Sequence, residues 1–468
     1  YEISACLVGS EMCIRDSVWT FWTWWLLAGV MGFAAMPVTG RLFWRFEDKG
    51  WIFSKVLAIA ATGFLTWFLT AIRLIPFNAL TCAAVTILCA VICFFLLRKE
   101  SKEKTECFPV DRISLIYWEE LLFFLAFLMW TYLAGFRPAA YGTEKFMDYG
   151  FMEAMMRSTT LPARDLWYSE GHINYYYGGQ YFAVFLTKLS HTKVELTYNL
   201  MRTFVAGLAF AMPFSLVYQM MSDRMKGQQK SEKVIKGLPF AAGFTAGTAV
   251  SIAGNMHYVI YAQIIPLIEK LTGKEVSSYW FPDATRYIGY NPYREEDRTI
   301  HEFPCYSFVL GDLHAHVVNI MFVLLVIAFL YVWLRGVRKK TVPVETSMKD
   351  GKFWKEQLLM THLLVISALL GMFQWTNFWD FVIYYVVTLG TVLFANIIRF
   401  QGKIKKIMVV TFAQMAEIYL LAYLVILPFT LQFDTMVDGI GIAKYHSYFY
   451  QLLVLWGLPA VLTITFVI

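Results

Sequence analysis

Apolar runs of spanning length recur along the whole chain, near residues 18–38, 51–72, 74–97, 113–135, 198–221, 238–254, 315–334, 357–373, 380–398, 408–431 and 449–468. A hydrocarbon core of roughly 30 Å takes about twenty helical residues. The pattern therefore predicts an all-α polytopic membrane protein with about eleven transmembrane helices. A further apolar stretch, 177–190, rises only about 21 Å as a helix, and is expected to be an interfacial helix. Two polar segments are long, 136–197 and 255–314.

Charge decides between these spans and their alternatives, because sidedness alternates at each span and cytoplasmic loops carry the excess of Lys and Arg. With 177–190 left out, loops 39–50, 98–112, 222–237, 335–356 and 399–407 share one side and hold 24 Lys/Arg in 74 residues. The opposite loops hold 13 in about twice that length. Counting 177–190 as a span would break this alternation. Both long loops are thus expected outside, and most of the unusual polar residues lie in them or at the ends of the spans beside them.

Composition agrees with a bilayer protein: 58% hydrophobic, 18% aromatic and 16% charged residues, against roughly 25% charged in soluble domains. A net charge of +6 is too small to point to nucleic acid. The first seventeen residues are set aside. Back-translation of Tyr1 to Ser17 resembles an indexed transposase sequencing adapter read as coding sequence, and the chain stops inside an apolar run, so truncation at the C-terminus is expected. Without Cys6 and Cys13, the cysteines are Cys82, Cys89, Cys93, Cys107 and Cys305, with no disulfide framework or CxxC knuckle.

In the first long loop Glu144 and Asp148 stand four residues apart, so a helix there turns both carboxylates one way. Such a pair suits a general base or a divalent cation. Asp165, His172 and Asn174 follow, then Tyr175, Tyr176 and Tyr177. Tyrosines anchor at membrane boundaries, and aromatic rings also stack on sugar faces. The second long loop ends in HEFPCYSFVLGDLHAHVVN, where His301, Glu302, Asp312, His314 and His316 form the densest set of potential ligands. An imidazole and carboxylate set suits zinc or a harder ion, with Glu302 as a further ligand; the other reading is a hydrogen-bonded polar wall.

Arg202, Arg286, Arg294 and Arg298 offer guanidinium forks where a lipid phosphate would lie, although interfacial arginines also snorkel to headgroups. Asn377, Asp380, Asp434 and Asp438 are candidates to complete such a site. Within spans, Glu119, Glu120 and Glu417 need partners or water, and Gly243 with Gly247 is read as a close helix contact.

The segments EKFMDYGFMEA, NYYYGGQYF, EFPCYSFVLGDLHAHVVN and TNFWDF resemble the archaeal and chloroflexal YYY membrane protein family, a domain of unknown function named for its tyrosine triplet. The resemblance covers nearly everything from Val18 onward. Its layout is similar to the GT-C glycosyltransferases, which act on polyprenyl-phosphate-linked sugars. It implies a three-helix segment over 18–112 and a GT-C-like module over 113–468. It also implies Asp148 as the catalytic carboxylate or a metal ligand, Glu144 beside it, and Arg202 at the start of the span after the interfacial helices. The expected function is transfer of a sugar from a lipid-phosphate donor to an extracytoplasmic acceptor, at the outer face of a prokaryotic cytoplasmic membrane. A transporter or lipid flippase, and a metallohydrolase built on DLHAH, are the alternatives.

Overall fold

The structure, a computed structural model, describes residues 2–103, 108–140, 142, 144–226, 232–338, 347–435 and 441–467. Among these no strand forms, and two isolated bridges, Arg164 with His172 and Tyr290 with Tyr293, are the extended pairings. Asp438 and Cys107 lie outside the described residues.

In chain order the α-helices are α1 (Glu2–Leu42), α2 (Trp51–Ala71), α3 (Ala79–Glu103), α4 (Ile113–Ala134), α5 (Lys145–Arg157) and α6 (Gly178–Ser190). Then come α7 (Val194–Met225), α8 (Glu232–Ser251), α9 (Ile265–Leu271), α10 (Pro304–Leu310), α11 (Ala315–Arg338) and α12 (Gly351–Leu358). The last are α13 (Thr361–Thr376), α14 (Phe378–Phe400), α15 (Ile404–Val425), α16 (Leu427–Thr430) and α17 (Phe449–Val467).

By length and composition, 8 of the described helices can cross a membrane, or 9 if α12 and α13, bent by 51°, form one span. The remaining two expected spans correspond to α8, which stops at Ser251, and α17, whose apolar part Phe449–Thr465 is shorter. The third span begins at Ala79 rather than at residue 74. Pro76 has no N–H to offer, and the Asn78 side chain caps the new helix by accepting from Thr81 N at 2.9 Å.

The chain divides into two compact units, residues 1–246 with 311–434 and residues 247–310 with 435–468. In the first, α7 is the inner helix, 94% of its spanning window being buried, whereas α3 is only 11% buried. Gly243 lets α8 touch α7: a Cβ there would meet the Phe214 carbonyl at 2.7 Å. Glu120 is paired with the buried Lys55 at 2.9 Å and accepts from Trp51 Nε1 at 3.0 Å. Their mutual neutralisation offsets much of the cost of placing both charges in a span.

The segment expected to lie at the interface is a correction. α6 is too short to span, but it packs inside the first unit, with every residue from Gly178 to Lys188 buried. Tyr181 OH donates to Gly63 O of α2 at 2.8 Å, and Phe182 meets Phe322 of α11 and Trp375 of α13. Its polar side chains find protein partners instead of water, as where Lys188 Nζ donates to Met156 O at 2.9 Å; an interface-lying helix would keep that face wet.

In the second unit, Tyr287 and Ile288 pack on Val454 and Leu455 of α17. His257 stacks on Tyr261 with ring centroids 4.4 Å apart, and burial holds its pKa down at about 4.

Candidate functional site

Four segments of the first unit converge at one end of its helices: the start of α5, the start of α6, the first turns of α7, and the extended 311–314 that leads into α11. Glu144 sits at the N-cap of α5 and Asp148 in its first turn, a place where the helix dipole favours a carboxylate. The four-residue spacing brings both to one imidazole. His314 Nδ1 lies 3.1 Å from Asp148 Oδ2, and His314 Nε2 lies 3.8 Å from Glu144 Oε2 and 3.7 Å from Asp312 Oδ2.

The two carboxylates of α5 differ in access. Asp148 has no exposed surface, whereas Glu144 is 62% exposed. Although it lies in a polar segment outside the spans, Asp148 is wrapped by its partners. Gln180 Nε2 donates to Asp148 Oδ1 at 2.7 Å and to Leu313 O at 3.0 Å, which ties the carboxylate to the DLHAH backbone. Burial raises the Asp148 pKa above the usual carboxylate range, and His314 and Gln180 oppose that shift.

Positive charge lies alongside. Arg202 of α7, 3% exposed, donates to Asn199 Oδ1 at 3.1 Å. Gly311 has φ +91, and a Cβ there would stand 2.6 Å from Arg202 Nη1 and 3.2 Å from Lys145 Nζ. The positive φ favours glycine, and the missing Cβ leaves room for both cations. Burial lowers the Lys145 pKa, with Asp312 opposing and Arg202 adding to the effect.

His316, in the first turn of α11, has its ring 5.8 Å from that of His314 and lies in the electrostatic range of Asp380. Asp380 Oδ2 accepts from Asn319 Nδ2 at 2.7 Å and from Asn377 Nδ2 at 2.9 Å. Asn377 and Asp380 therefore form a hydrogen-bonded strut between the α13–α14 junction and α11. Among the described residues no group of three or more His, Cys, Asp and Glu side chains is arranged to hold a metal ion.

The tyrosine triplet separates. Tyr177 is buried, accepts from Trp67 Nε1 at 3.0 Å and packs on Trp375 and Phe429. Tyr175 and Tyr176 keep partly exposed rings, and Tyr175 packs on Phe151 of α5. His172 is exposed, and Asn174 clamps the backbone of Asp434 through two bonds of 3.0 Å.

The remaining candidates belong to the second unit. Arg286 lies over the Trp280 ring, Arg294 over Tyr448, and Arg298 over Tyr293. Glu302 accepts from Ser307 Oγ at 2.8 Å, and burial with nearby His257 holds the His301 pKa at about 4.

Sequence patterns did not single out Gln180, Tyr198 or Asn319. Tyr198 OH accepts from Leu313 N at 3.3 Å and Gln180 donates to Leu313 O, so these two hold the same backbone, while Asn319 serves Asp380. The available signal was a lone amide in an apolar run, Gln180 in GGQYF and Asn319 in VVNIM, since a buried amide must find partners.

These features define a polytopic helical membrane protein with a polar, mixed-charge site at the ends of its helices. The chain belongs to the uncharacterized membrane protein family DUF2298, whose family model matches residues 61–468. No curated protein and no solved structure matches it significantly.

Proposed function

We propose that the protein is a membrane glycosyltransferase of GT-C-like layout, with eleven spans, that moves a sugar from a polyprenyl-phosphate carrier to an acceptor hydroxyl outside the cytoplasmic membrane. The observation that carries this reading is the His314 imidazole, its Nδ1 3.1 Å from the buried Asp148, with its other nitrogen within 4 Å of Glu144 and Asp312 and with Arg202 and Lys145 beside the same backbone. A buried carboxylate sets the tautomer and orientation of such a ring and stabilises its protonated form. The acceptor oxygen attacks the anomeric carbon, and its proton passes to His314 Nε2. The bond from that carbon to the phosphate oxygen breaks, and its electron pair leaves with the lipid phosphate, whose charge Arg202 and Lys145 meet. Tyr175 and Tyr176 offer ring faces to the sugar.

The test uses the purified chain in proteoliposomes with polyprenyl-phosphate sugars labelled in the sugar. Release of unlabelled lipid phosphate with label on an added acceptor is expected. Asp148→Asn and His314→Gln should each lower turnover by at least ~100-fold, the lower end of general acid–base contributions, with KM little changed. Label crossing the vesicle without bond cleavage would favour a transporter. Activity that chelators abolish and a divalent ion restores would make Glu144, Asp312 and His314 metal ligands and favour the metallohydrolase.

A further inference from the structure

The other end of the first unit carries a cavity. The turn after α1, the last turns of α11 and α14, and the bend between α12 and α13 enclose about 750 Å³. The site around Asp148 adjoins the opposite ends of α11, α13 and α14, so the two regions are separated by the length of a span, about 35 Å for α11.

Among the described residues the cavity gathers Arg41, Arg45 and Arg399 with Trp44 and Trp333, against one carboxylate, Glu356. The hydrogen-bond partners of two of these arginines are neutral. Arg41 Nη2 donates to Leu96 O at 3.0 Å, and Arg399, buried, donates to Asn396 Oδ1 at 3.2 Å and to Gln357 Oε1. Arg45 lies 4.0 Å over the Trp44 ring, and among the described residues its Nε is buried with no hydrogen-bond partner. The nearby Asp223 is taken by Arg335 at 2.6 Å. Burial and the like charge of Arg335 push the Arg45 guanidinium below its usual range, with Asp223 opposing.

A second, apolar cavity of about 270 Å³ runs between α1, α2 and α3, lined by Met31, Val38, Leu57, Cys89 and Val365. Leu42 lines both cavities, so they adjoin there. A basic chamber beside an apolar groove is complementary to one kind of molecule. Guanidinium forks match phosphate oxygens, and basic pockets between spanning helices hold anionic headgroups.

We propose that this pair of cavities binds an anionic phospholipid, its phosphate among Arg41, Arg45 and Arg399 and one acyl chain in the groove past Leu42. The site is independent of the transfer chemistry proposed above. The full purified chain in neutral detergent, analysed by native mass spectrometry, tests it against phosphatidylglycerol, phosphatidylcholine and inorganic phosphate. Phosphatidylglycerol should bind at least ~10-fold more tightly than phosphatidylcholine, the scale of one charge-assisted hydrogen bond. Arg45→Gln should remove most of that preference. So should Gly336→Leu, which leaves every charge in place but projects into the chamber, since a Cβ at 336 already comes 3.9 Å from Arg45 Nε. Equal affinity for the two lipids, or an unaltered preference in both variants, overturns the proposal. So does displacement of phosphatidylglycerol by inorganic phosphate at equal concentration, which would mark a site for free anions. If either variant fails to fold, the lipid preference and phosphate competition of the unaltered chain decide alone.

Discussion

Asp148 has no exposed surface, so whatever it does to a substrate it does through His314. That distinguishes it from Glu144, which shares its helix face but stands in water. The same distinction runs through the tyrosine triplet. Tyr175 and Tyr176 retain partly exposed rings, while the Tyr177 hydroxyl is spent on Trp67 Nε1 inside the first unit. Removing that hydroxyl leaves a buried indole N–H without its acceptor, which costs about 1–3 kcal/mol. Tyr177→Phe should therefore lower the thermal unfolding temperature measurably while turnover per folded molecule stays within about twofold, well short of an acid–base loss. A catalytic defect as large as that of Asp148→Asn, with unchanged stability, would return Tyr177 to the substrate.

At the scale of elements, the short helix α6 does the most to assemble the site, and it does so through its two glycines. A Cβ on Gly178 would lie 2.8 Å from the Trp375 ring and 2.9 Å from the Trp375 carbonyl, and one on Gly179 3.2 Å from Val318. These contacts set α6 against α11 and α13 and thereby aim Gln180 at Asp148 and Leu313. Gly178→Ala should destabilise the protein by about 1–3 kcal/mol, as overpacking against backbone does. Gly390→Ala is the matched control. Nothing lies within 4 Å of a Cβ at that position of α14, so only the gain in helix propensity, up to about 1 kcal/mol, is expected. Equal unfolding temperatures for the two variants would show that α6 is not packed as described. Hydropathy found the apolar run of α6 and its length ruled out a span, but whether such a run lies on the surface or inside depends on what faces it. The spacing of Glu144 and Asp148 was more informative, because four residues on a helix fix direction locally. Their meeting with His314 depends on long-range packing, and so do the roles of Gln180 and Asn319.

Across the first unit, the charged residues sort by helix end. The turn after α1, the start of α4 and the ends of α7 and α11 are tied together by Arg335 with Asp223 at 2.6 Å, Lys226 with Glu47 at 3.3 Å and Arg112 with Glu47 at 3.6 Å. The Asp148 and Asp380 clusters adjoin the opposite ends of α7, α11 and α14. From the alternation of basic loops we propose that the first of these ends faces the cytoplasm. Single cysteines in a background lacking the native ones make the orientation measurable. Those at Gly142 and Ser278 should react with an impermeant maleimide added to intact cells, and those at Ser347 and Gly402 should react only after the membrane is opened. Labelling of Ser347 from outside with protection of Gly142 would invert the protein. His314 would then face the cytoplasm, and a lipid-linked donor presented at the outer leaflet could not reach it, so the proposed reaction would fail even with the site geometry intact. Labelling of both Gly142 and Ser347 from outside would instead mean that the number of spans between them is even, so that one of α7, α8 and α11 does not cross or α6 does.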